Sequence, residues 1–263
     1  MTPPALECRG ASRTFGGVRA VDAVSLTVPD GALCALIGPN GAGKTTLFNM
    51  ATNLFPPSSG DIRFHGQSAA GLTPHQIAAR GVIRTFQTAR VFPGMTVLEN
   101  VMAGAHRHLG ASTLAQMLWT RGARAEERRL ADKAQALLDL VGLGGAPDRA
   151  TTDLPIGAQK LVEIIRALMA GPRLLLLDEP AAGLNDRETA ELAALLRAIR
   201  DAGTTILVVE HNMSLVMGVA DTVFVLDAGR LIAQGPPQAI RNDPTVIEAY
   251  LGRDAELPVG AAP

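Results

Sequence analysis

The stretch "ALCALIGPNGAGKTTLF", residues 32–48, restricts what this chain can fold into more than any other. Its apolar run at 32–38 reads as a buried strand, and the residues from Lys44 onward read as a helix. Between them lies the spacing G-x-x-x-x-G-K-[ST], filled by Gly38, Gly43, Lys44 and Thr45. A polyphosphate needs dense N–H donors, and glycines let the backbone curl tightly enough to aim several at one anion. Gly38, Pro39, Asn40, Gly41, Ala42, Gly43, Lys44, Thr45 and Thr46 therefore form the candidate nucleotide cradle. Lys44 would reach the β- and γ-phosphates, with the Thr45 hydroxyl placed for Mg2+. The chain carries 21 Arg but only three Lys, at 44, 133 and 160. A compact ammonium at 44 suits a narrow loop where a planar guanidinium does not.

The other strand signals are "LLLLDE" (174–179), "TILVVEH" (205–211) and "TVFVLDAG" (222–229). Alternating with helical patterns, they predict an α/β fold with a mostly parallel sheet. Residues up to about Thr27 read as an antiparallel β flank. From Thr96 to Leu143 the strand signal vanishes, and Leu130, Ala134, Leu137, Leu138 and Val141 form one helical stripe. The expected division is a single domain, 1–263. Residues 1–87 and 158–235 are its nucleotide-binding core, 88–157 a helical subdomain and 236–263 C-terminal helices and tail.

With 263 residues, 47% of them hydrophobic, the chain can bury a large core. A net charge of −1 gives no electrostatic case for nucleic acid as a partner. No run is long and apolar enough to span a bilayer, and "MTPPALECRG" lacks the order of a secretory signal. Cys8 and Cys34 are not spaced as a metal pair and read as core thiols in a reduced compartment. A cytoplasmic protein is expected.

The chemistry-bearing residues sit at strand ends. "RLLLLDEP" presents Asp178, suited to hold Mg2+, and Glu179, suited to polarise an attacking water as general base. "VVEHNM" brings His211 to the same sheet edge, within reach of the γ-phosphate or the water. "IRTFQTARVF" supplies Gln87 after a short strand at 83–86; its neutral amide can join the Mg2+ shell or the water. Phe15 in "ASRTFGG" can stack on adenine or serve as packing. A further oddity is "TTDLPIGAQKLVEIIRAL" (151–168), where a helix opens on Pro-Ile-Gly-Ala-Gln with no capping side chain.

Taken in order, these elements resemble the ATP-binding subunits of ABC transporters, P-loop NTPases with a RecA-like sheet. The likeness covers Phe15 to the C-terminal "EAYLG": Walker A "GPNGAGKTT", Q-loop Gln87, "LPIGAQ" at the signature, Walker B "LLLLDEP", D-loop "AAGLN" and switch His211. "RTFQTARVFPGMTVLENVMAG", "LDEPAAGLN" and "RNDPTVIEAYLG" look like the ATPase subunits of branched-chain amino acid importers. The resemblance implies ATP with Mg2+ and a second ATPase subunit, either a related chain or a copy of this one. It further implies two transmembrane permeases, an external (periplasmic) solute-binding protein acting indirectly, and a peripheral position on the cytoplasmic face of the inner membrane. It also answers the bare helix. In the family two ATPase chains face head to tail, and a naked helix N-terminus, carrying about half a positive charge, meets the partner's γ-phosphate. Gly157 and Gln159 are then the nucleotide contacts from this side. The apolar Val91, Phe92, Pro93 and Met95 suit a permease contact or internal packing.

The signature departs from the family pattern, reading Leu154, Pro155, Ile156, Gly157, Ala158 where L-S-G-G-Q is usual. Pro155 offers neither hydroxyl nor N–H. Losing one charge-assisted hydrogen bond removes about 1.5–3 kcal/mol of transition-state stabilisation, so a slow but active site is expected. Asn185 stands where many relatives carry Asp and is read as a bridge across the dimer. Competing readings are import of another solute (an amide, urea or an aromatic acid), a soluble ABC ATPase acting on DNA or ribosomes, a P-loop kinase, and a non-hydrolysing regulatory binder.

Overall fold

The computed structural model describes residues 3–85, 91–108 and 120–254. Its frame is a six-stranded sheet in the order β10 (Arg230–Gly235), β9 (Thr222–Asp227), β3 (Leu33–Ile37), β8 (Thr205–Val209), β7 (Leu174–Asp178), β6 (Val82–Arg84). Neighbours are parallel except β10, which pairs antiparallel with β9. All five residues of β3, β7 and β8 are buried, as their uninterrupted apolar sequences require of strands covered on both faces. Alternation then assigns each face its own core. Leu33, Ala35 and Ile37 pack with Leu175, Leu177, Ile206 and Val208, whereas Cys34 and Leu36 pack with Leu174, Leu176, Leu207 and Val209.

The second face is covered by α1 (Lys44–Ala51) and an antiparallel sheet, β2 (Val18–Val28), β1 (Leu6–Phe15), β4 (Ser59–Phe64), β5 (Gln67–Ser68). This flank is larger than the sequence suggested, because β4 and β5 join it from beyond α1. The first face carries α3 (Val97–Met102), α4 (Arg121–Leu140), α5 (Ile156–Met169), α6 (Asp186–Asp201) and α7 (Met213–Val219). On α4 the expected stripe is inward. Ala134 and Leu138 are fully buried, and Leu130, Leu137 and Val141 are partly so. This apolar cluster runs without a break from α3 and α4 through Leu161 and Ile165 of α5 to the sheet. The short helix α2 (Pro74–Ala79) leads into β6, and α8 (Pro237–Arg241) and α9 (Pro244–Asp254) close the chain. Both cysteines are buried and free, and burial pushes their thiols up to about 12. Among the described residues no helix is long and apolar enough to cross a membrane.

Candidate functional site

The loop after β3 is shaped by backbone demands that only glycine meets. Gly38 (φ 148°) has no room for a side chain against the Leu226 carbonyl, nor has Gly43 (φ 98°) against the Ala20 carbonyl. Gly43 is the N-cap of α1, which opens with no side-chain cap. By contrast, α2, α3 and α6 all close their N-termini with full capping boxes, Thr73 with Gln76, Thr96 with Glu99, and Asn185 with Glu188. The N-terminus of α1, like those of α5 and α8, has no side-chain cap, and directly behind a glycine loop an anion is its natural complement. Lys44 lies folded across the loop, its Nζ donating to the carbonyls of Gly38 (2.7 Å) and Pro39 (3.0 Å). Asn40, Gly41 and Thr45 are exposed, Pro39, Gly43 and Thr46 half-buried, and Ala42 is buried.

Because β8 lies between β3 and β7, three loops leave one sheet edge side by side. Asp178 ends β7, buried, with its Oδ2 accepting from Arg84 Nη2 at 2.7 Å. Glu179 is not part of the strand, contrary to the 174–179 reading. It takes a left-handed conformation (φ 48°), its N–H donating to the Val209 carbonyl at 2.9 Å. A non-glycine residue held there costs of order 1–3 kcal/mol, a strain that collects at functional sites. The turn, rather than strand alternation, sends its carboxylate towards His211, with Nδ1 and Oε2 3.8 Å apart.

Two supports went unnoticed in the sequence. Glu210 is fully buried and accepts from three backbone N–H groups, Ala181 (2.6 Å), His211 (3.0 Å) and Asn212 (3.2 Å). Lys160 of α5 donates to the carbonyls of Pro180 (3.1 Å) and Ala182. The segment 180–182 is thus gripped from one side by Lys160 of α5 and from the other by Glu210, the residue that follows β8. The rarity of lysine in this chain was the available signal for Lys160; "VVEHNM" held none that separates Glu210 from an exposed acid.

The helix of the bare signature starts where expected. Pro155 is the N-cap of α5, and no side chain caps it. Gly157 is buried, and a side chain there would press on the carboxylate end of Glu188 of the same chain, so the glycine lets that side chain lie against the start of α5. Gln159 likewise turns inward, its Nε2 donating to the Leu154 carbonyl at 2.9 Å. Asn185, read as a dimer bridge, has its Oδ1 accepting from the Glu188 N–H (3.0 Å) as the cap of α6. Phe15 is exposed, edge-on to Phe55 with centroids 5.2 Å apart, and the Arg13 guanidinium lies over both rings. Gln87 lies outside the described residues, and the short strand before it is Val82–Arg84 rather than 83–86. Phe92 and Met95 are exposed on a turn held by the buried Asn100, whose Oδ1 accepts from Phe92 N–H (2.8 Å) and whose Nδ2 donates to Thr151 Oγ1 (2.8 Å).

Among the described residues no three His, Cys, Asp or Glu side chains gather as a metal cage. An exposed Thr45 hydroxyl and one buried carboxylate, Asp178, make a sparse hard-oxygen set. That suits Mg2+, which keeps water and phosphate oxygens around it.

The glycine loop before α1, the adjacent carboxylates of Asp178 and Glu179 and the nearby His211, all along one parallel sheet edge, fit a nucleotide-hydrolysing cassette. Residues 21–182 match the family described as ABC transporter, and the chain belongs to that family as one of its ATPase subunits. Residues 230–256 match a second family, described as branched-chain amino acid ATP-binding cassette transporter. The chain is 44% identical over 253 residues to the high-affinity branched-chain amino acid transport ATP-binding protein BraF of Pseudomonas aeruginosa, covering 96% of this chain and 99% of that one. It is 43% identical to the corresponding LivG protein of Escherichia coli K12, with the same coverage. A crystal structure of the ADP conformation of an ABC transporter ATP-binding cassette superposes with a TM-score of 0.81 at 32% identity, covering 96% of this chain and 99% of that one.

Proposed function

We propose that this chain powers an importer of branched-chain amino acids or closely related solutes. It would hydrolyse ATP in a head-to-tail pair of ATPase subunits beneath two permeases, on the cytoplasmic face of the membrane. The observation that carries the cargo is the match of residues 230–256 to the branched-chain family, together with the BraF and LivG likeness along the whole chain. Residues 1–87 and 158–235 act as the nucleotide-binding core, 88–157 as the helical subdomain and 236–263 as the C-terminal element. The exposed Phe92 and Met95 support a permease contact on that subdomain.

In this reading the loop N–H groups and the dipole of α1 hold the β- and γ-phosphates. Lys44 exchanges its two loop carbonyls for phosphate oxygens. Bound Mg2+ would neutralise phosphate charge, held by Thr45, Asp178 and Gln87. Glu179 takes a proton from the attacking water, and His211, beside it, holds the water or the γ-phosphate in line. The bare end of α5 offers its positive end to the nucleotide of the facing subunit. Glu179→Gln in the assembled transporter is expected to lower phosphate release by at least about 100-fold with ATP binding retained; unchanged release removes Glu179 from the chemistry. Uptake of radiolabelled leucine, against an amide, urea and an aromatic acid, by cells with and without the gene tests the cargo.

A further inference from the structure

Arg84 is the last residue of β6, and its guanidinium joins the two motif-bearing elements beside it. Nη2 donates to Asp178 Oδ2 at 2.7 Å, and Nη1 donates to Asn49 Oδ1 at 2.6 Å. Its central carbon lies 5.3 Å from the centre of the Phe48 ring. Asn49 and Phe48 belong to α1, the helix that Lys44 opens, so one side chain ties the phosphate-loop helix to the end of β7. The pair is largely shielded, with 14% and 7% of the two side chains exposed. Anchored by an amide and a ring face, the fork is not free to swing away, and it engages only one of the two carboxylate oxygens.

We propose that Arg84 is the resident counter-charge of Asp178, a positioning residue that orients the carboxylate and weakens its hold on a divalent cation. The proposal rests on reading Asp178 as the Mg2+ ligand. A buried carboxylate without a partner is costly, and the guanidinium removes that cost before nucleotide arrives. Once a cation enters, two positive groups share one carboxylate in a shielded site, where their repulsion is far stronger than in water. The arrangement favours a cation that leaves with the spent nucleotide over one that stays.

The test uses the full chain loaded with ADP and Mn2+ as the probe, followed by electron paramagnetic resonance, with circular dichroism to establish folding. Arg84→Gln is expected to bind Mn2+ about tenfold more tightly than the parent, with slower turnover and cation-free ADP affinity within about twofold. Arg84→Lys keeps the charge but not the fork, so Mn2+ affinity returns towards the parent value while turnover recovers only in part. A role confined to knitting strands together would not tighten cation binding. Unchanged or weaker Mn2+ affinity in folded Arg84→Gln overturns the proposal. Should that variant not fold, Asn49→Ala, which loosens the anchor alone, is expected to tighten Mn2+ by about twofold to threefold, and no change there overturns it. Asp178→Asn separates the two readings. If it loses Mn2+ while Arg84→Gln behaves as the parent, only the Arg84 role falls; if it keeps Mn2+, the ligand reading of Asp178 falls and takes the Arg84 role with it.

Discussion

Lys44 and Lys160 are two of only three lysines, and both are buried with their ammonium groups on backbone carbonyls. Burial lowers the Lys160 pKa, while Glu210, Glu163 and Glu179 pull it back. Lys160→Met would leave the Pro180 and Ala182 carbonyls without their donor, at a cost of about 1–3 kcal/mol, readable as a lower urea midpoint with an unchanged slope. The thiols offer a second check. Buried and raised to about 12, Cys8 and Cys34 should not react with a thiol reagent at pH 8 until the chain unfolds, and then both should. Fast labelling of the native protein would contradict the packing. At this scale the sequence revealed residue types more readily than partners: Lys44 followed from its motif, whereas Glu210 and Arg84 owe their roles to neighbours 29 and 94 residues away.

Among elements, α5 shows both what could be read and what could not. Its bare N-terminus was visible in Pro-Ile-Gly-Ala-Gln, because capping is a local matter of a few adjacent residues. The uses of Gly157 and Gln159 were not visible, since Glu188 and the Leu154 carbonyl reach them only after packing. Pro155→Ser would restore a hydroxyl and an N–H at the tip, and turnover of the assembled transporter should rise by roughly tenfold to a hundredfold; steady-state phosphate release measures it. Gly157→Ala pushes on Glu188, which caps α6, so about 1 kcal/mol of stability should go with the disturbed box. A thermal melt equal to the parent's would argue that Glu188 can step aside.

Over the whole molecule, the parallel sheet and its motif order were legible because buried strands announce themselves as apolar runs. The insertion of β8 between β3 and β7, and the recruitment of β4 and β5 into the flank, were not, since strand order is decided by pairing across long separations. The C-terminal helix closes back on this core. Tyr250, the only tyrosine, is partly buried, and burial raises its phenol above the ordinary value. The neutral phenol is the form the fold prefers. Its contribution is therefore complete below about pH 10 and is lost as pH rises through the folded value. Absorbance at alkaline pH should show a late phenolate transition in the native chain and an ordinary one in urea.

On the proposed reading, the N-termini of α1 and α5, neither closed by a side-chain cap, are two half-finished anion seats on a solitary chain. Completing either needs a collision with another subunit. Hydrolysis per molecule by the purified chain should then fall on dilution, with the total rate approaching second order in protein concentration, and become independent of dilution when the permeases hold two ATPase subunits at fixed spacing.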